Sequence, residues 1–95
     1  MDRNDIDIEL QAEGYEAAVG VIRPANYVQA QPLYSLDAEA LVTAGEIMIA
    51  PPVASCSPKT CRVGDRFKFS CGVQYIEYAG PAGVTYLLWT RKATP

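Results

Sequence analysis

Histidine is absent from the 95 residues, which removes the usual general base and the commonest imidazole metal ligand. Cys56, Cys61 and Cys71 are separated by four and nine residues and have no fourth ligand to close a structural zinc site. A nucleophilic Cys71 would need a base beside it, and only carboxylates are on offer. Asp5, Asp7 and Glu9 alternate along one segment and could hold a hard cation. Without an oxygen-rich loop around them, a solvated strand face is the plainer reading. Gly80-Pro81-Ala82-Gly83 is turn chemistry, neither a phosphate cradle nor a dinucleotide fingerprint. Arg66 and Lys68 interleave with Phe67 and Phe69 as in a platform for single-stranded nucleic acid. Alternation nevertheless sets those cations opposite the rings, and the net charge of −3 opposes a phosphate backbone. The residues point to no enzyme, cofactor, metal or nucleic-acid partner.

The richest stretch is Arg66 to Trp89, which holds both phenylalanines, the only tryptophan and three of the six tyrosines. Aromatic and β-branched residues suit a pleated surface, and Gly/Pro punctuation ends a strand. The stretch reads as a long hairpin: a strand over 66–78, a turn at 79–83 and a return strand over 84–90. Gly72 is placed for a bulge that swaps the strand's phase. Cys71, among phenylalanines, reads as a small packed hydrophobe. The return strand is apolar on both faces, so one face should meet the core and the other a partner, the alternative being a strand buried between two layers of its own chain. The candidate interface residues are Tyr75, Tyr78, Tyr86 and Trp89, with the basic Arg66 and Lys68 and the acidic Asp5, Asp7 and Glu9.

Earlier in the chain, residues 5–12 alternate strictly, with Ile6, Ile8 and Leu10 opposed to the three acids, and read as a half-buried strand. Residues 17–22 read as a short strand that Pro24 ends, and 26–29 as another. Ser35 to Gly45 offers an N-cap, early acids and a terminal glycine, the marks of a helix. The same segment alternates, with Tyr34, Leu36, Ala38, Ala40 and Val42 on one face. Helix is preferred on the strength of its alanine and glutamate. A strand over 45–50, a Pro/Ser loop and a tight Gly64-Asp65 turn lead back to the hairpin. The fold class expected is all-β: one domain over 1–95, a small barrel or sandwich with at most one short helix, its ends (1–4 and 91–95) loose.

Residues 1–50 carry two basic against nine acidic groups, and residues 51–95 carry six against two. Halves of opposite sign can pair internally or join neighbouring subunits, or each can simply keep a solvated face. The N-terminus lacks the apolar run of a signal peptide, and no stretch is long and apolar enough to span a bilayer. An odd number of cysteines argues against a secreted disulfide framework, although Cys56 and Cys61 could close a small ring under oxidising conditions.

Two fragments, YEAAVGVI (15–22) and PLYSLDAEALVTAGE (32–46), resemble pieces of small β-rich bacteriophage head proteins, the decoration or cement proteins that clamp capsids. The resemblance implies a virion protein assembled in the host cytoplasm, with homo-oligomer or capsid-lattice partners and no membrane. The competing expectation is a small acidic binder or inhibitor that covers a basic surface of another protein.

Overall fold

The computed structural model describes residues 3–30, 36–50, 58–69 and 75–92. It is a mostly β domain with one short helix, as the composition and punctuation predict. The chain runs α1 (Arg3–Ala12), β1 (Val19–Arg23), β2 (Val28–Ala30), β3 (Leu36–Ala50), β4 (Lys59–Arg62), β5 (Arg66–Phe69) and β6 (Ile76–Lys92). All pairings are antiparallel, in a sheet ordered β1-β6-β3-β4, with β2 also on β6 and β5 also on β3.

The helix is not where the sequence placed it. The alternating segment 5–12 lies within α1, because Ile6 and Leu10 stand four apart and share a helix face, and both are buried. Ile8, which a strand would have buried with them, is 69% exposed. Helix formers fill the last turn, and the end is a Schellman motif: Gly14 at φ 92°, its N–H on the Gln11 carbonyl and the Tyr15 N–H on that of Leu10. Arg3 and Asn4, expected to be loose, already belong to the helix.

The segment expected to be helical is the first part of β3. Its alternation was the decisive signal: Ala38, Ala40 and Val42 all enter the core. Pairing with β6 along nearly its whole length overrides the helical preference of alanine and glutamate. The hairpin is also redrawn. Residues 79–83 do not reverse the chain, and β6 runs through them as one strand. Register with β3 passes from Ile47↔Ala79 to Gly45↔Val84, so Gly80 to Gly83 stand opposite Glu46 as a bulge. Gly45 is at φ 71°, and a Cβ there would sit 2.1 Å from the Gly83 carbonyl oxygen, so this crossing admits only glycine. β5 pairs with β3 instead of β6. At the other end, β6 continues through Arg91 and Lys92, which the sequence assigned to a loose tail. The Gly64-Asp65 turn is as expected, with Asp65 Oδ2 accepting from the Arg62 N–H at 2.9 Å. Gly72, Cys56 and Cys71 lie outside the described residues, whereas Cys61 is a free, buried thiol.

The bulges let β3 and β6 change phase together, so both halves of each strand feed one inner cluster. It includes Ala40, Val42 and Ile47 of β3, Phe67 of β5, and Ala79 and Tyr86 of β6. The outer face is covered at one end by α1, where Ile6, Leu10 and Tyr15 pack on Leu41, Leu87 and Trp89.

Candidate protein-interaction surface

The structure divides the sequence-nominated residues between core, latch and surface. Tyr86 is buried in the inner cluster, its ring edge-on to Phe67 at 5.2 Å. Trp89 is buried beneath α1, and its Nε1–H donates to Asp7 Oδ1 at 2.9 Å. The expected second aromatic face is thus, at Trp89, the seat of the chain's own helix, while Tyr86 belongs to the inner cluster. Asp7 is held below the usual carboxylate range by that bond first and by Gln11 next. Arg66 donates to Glu9 Oε2 at 3.0 Å and to Glu39, and these bonds, that to Glu39 foremost, raise its pKa. Asp7 and Glu9 therefore meet Trp89 and Arg66 within the chain. Asp5 and Lys68 are exposed, and Tyr75 packs half-buried on the inner cluster.

Tyr78 has a different place. Cross-strand partners point to the same side of a sheet, so registers identify a face. Val28 pairs with Tyr78, Tyr78 with Met48, and Met48 with Thr60. Four strands thus set Val28, Tyr78, Met48 and Thr60 abreast on the outer face, opposite the inward Ile47, Ile49 and Ala79. None of the four belongs to either core cluster. Val28 is 58% exposed, Tyr78 and Met48 are half-buried, and Ile22, on the same face of neighbouring β1, is 77% exposed. Glu46 and Arg62, paired at 3.4 Å, stand at one edge of the row. A hollow of about 260 Å³ opens between Met48, Thr60 and Tyr78.

Sequence reasoning missed Val28 and Met48 because their exposure depends on which strands are neighbours. It also missed a polar group on the inner face. Glu77, paired across strands with Gln29, has no exposed surface, and its Oε1 accepts from the Tyr86 hydroxyl at 2.7 Å. Burial pushes its carboxyl above the ordinary range, against the pull of Tyr86 and Arg23. The signal was present, since Glu77 shares its strand phase with Tyr75 and Ala79. Among the described residues no group of acidic, histidine or cysteine side chains is arranged to hold a metal.

No family model and no curated protein matches the chain. Solved structures do. The cupin domain of Schizosaccharomyces pombe Cnp3 aligns with TM-score 0.69 and 16% identity over 81% of this chain and 52% of that one. Drosophila melanogaster CENP-C bound to CAL1 aligns with TM-score 0.61 and 15% identity over 78% and 62%. A Rhizobium leguminosarum protein of unknown function gives TM-score 0.66 and 17% identity over 93% and 92%. The chain therefore spans about half of the Cnp3 domain structure. At these identities the likeness is one of fold, a cupin-like β domain.

Proposed function

We propose that the chain is a non-enzymatic assembly protein whose contact surface is the outer face of β2, β6, β3 and β4 beyond the reach of α1. The observation that carries this reading is the row Val28–Tyr78–Met48, apolar or aromatic, partly open and outside both cores. Rings and thioethers so placed suit the buried centre of an interface. The first occupant is a second copy of the chain. Glu46 and Arg62 put both charge signs at one edge of the row, so a two-fold arrangement brings opposite charges together. The wider setting is a capsid lattice, for which the support is the sequence resemblance to decoration proteins. That a domain of similar fold occurs in CENP-C bound to CAL1 is consistent with protein recognition by this architecture.

The alternative, an acidic strand covering a basic partner, has less support. Asp7 and Glu9 lie on a helix and are engaged by Trp89 and Arg66. Sedimentation of the wild type over a concentration series tests the proposal, with and without phage shells. Self-association, or co-sedimentation with shells, that Met48→Glu abolishes without lowering the melting temperature is the expected result. A wild type that stays monomeric and ignores shells, or a Met48→Glu protein that associates normally, overturns it.

A further inference from the structure

A basic hollow opens where β4 and β5 meet. Glu39 of β3, Lys59 of β4, and Arg66, Phe67 and Lys68 of β5 line an open space of about 190 Å³. None of them belongs to the Val28–Tyr78–Met48 row, so the assembly reading gives this space no role. The chain bends sharply enough between the two strands to gather their cations. Lys59 Nζ donates to the Arg66 carbonyl oxygen at 3.3 Å, although the two residues are seven positions apart.

The charges around the hollow are unevenly matched. Arg66 Nη2 is engaged by Glu39 and, at 3.0 Å, by Glu9. Glu39 is the one carboxylate of the lining, and Arg66 holds it away from Lys68, its neighbour across the strands. Lys59 meets only a neutral carbonyl. Neither lysine has an ion-pair partner among the described residues. Both are exposed, whereas Phe67 is almost fully buried and gives the hollow an apolar wall. Two open ammonium groups thus face one space that is large enough to admit a small molecule and reachable from solvent.

Charge and shape decide the ligand class. An ammonium is a point charge with three donors, and it suits a rounded oxyanion as well as a planar one. A carboxylate or a phosphodiester brings one negative charge and leaves one lysine unmatched. A phosphate monoester carries about −1.5 to −2 at neutral pH and has three strong acceptor oxygens, enough to meet both lysines together. We propose that Lys59 and Lys68 form a binding site for the phosphate group of a small phosphate monoester, with Arg66, fixed by its two carboxylates, as one wall.

The probe is methyl phosphate, titrated into the full chain at neutral pH and fixed ionic strength and followed by proton–nitrogen NMR. Dimethyl phosphate and acetate serve as singly charged controls. Methyl phosphate should shift the backbone amides of Lys59 and Lys68 saturably, with the controls binding at least about tenfold more weakly. Lys68→Met, at an exposed position, should keep the melting temperature and weaken methyl phosphate about tenfold, as for loss of one charge-assisted hydrogen bond; Lys59→Met should do the same. No saturable shift, equal binding of all three anions, or wild-type affinity in Lys68→Met overturns the site. Met48→Glu should bind methyl phosphate as the wild type does, so this site and the assembly surface stand or fall separately.

Discussion

Glu77 has a folded-state pKa above its ordinary value of 4.5, with burial the largest cause. The folded chain therefore binds that proton more tightly than the unfolded chain, and unfolding free energy falls as pH rises through this window. The contribution is full below the unfolded pKa and is gone once pH exceeds the folded one. Glu77→Gln keeps the shape and removes the titration. Its stability relative to wild type should therefore rise from pH 4 to neutrality, whereas residues common to both chains cancel. Denaturant melts across that range check it; a constant difference would mean that Glu77 does not titrate with folding. Cys61 gives a second expectation. Its thiol is fully buried, and burial raises its pKa. Labelling by a thiol reagent should track unfolding, because the thiolate is the reactive form. Fast labelling of Cys61 in the native state would contradict the packing.

At the scale of elements, two glycines separate backbone strain from collision. Nothing lies within 4 Å of a Cβ built at Gly14, so Gly14→Ala meets only the left-handed conformation of the helix end. About 1 kcal/mol of lost stability is expected in melts. Gly45→Ala meets the Gly83 carbonyl as well and should fail to give the native fold, since two backbones cross there. The contrast also explains what was legible in the sequence. Gly64 was readable as local punctuation because its role is local. Gly45 and the Gly80–Gly83 stretch were misread as a helix end and a hairpin turn. Their work is to let β3 and β6 bulge side by side, a fact set by a strand some forty residues away. In the same way Ile6 and Leu10 fit a period of two and a helical spacing equally well. Only the arrival of Leu41 and Trp89 on that face decides between them. Tyr78 was nominated as surface and stands on the outer row. Its neighbours Val28 and Met48 could not be named before the registers were known.

Across the whole molecule, the opposite charges of the two halves are paired internally. Arg66 joins Glu9 and Glu39, Arg91 joins Asp37, and Arg62 joins Glu46. Such partly exposed pairs contribute about 0–1 kcal/mol each, so they align the halves more than they hold them. The apolar seats hold them, and here aromatic residues of one strand part company. Trp89 fills the seat of α1, and Trp89→Ala should cost roughly 3–5 kcal/mol, as for a large core ring removed. Tyr78 stands outside both cores, so Tyr78→Ala should leave the melt nearly unchanged while weakening association by about 2 kcal/mol if it is an interface anchor. Denaturant melts and sedimentation equilibrium on both variants read the two effects separately. A Tyr78→Ala protein that melts as early as Trp89→Ala would return Tyr78 to the core. A Trp89→Ala protein of wild-type stability would mean that α1 is not seated on the sheet. The two residues lie on one face of one strand, and what separates them is the reach of the helix.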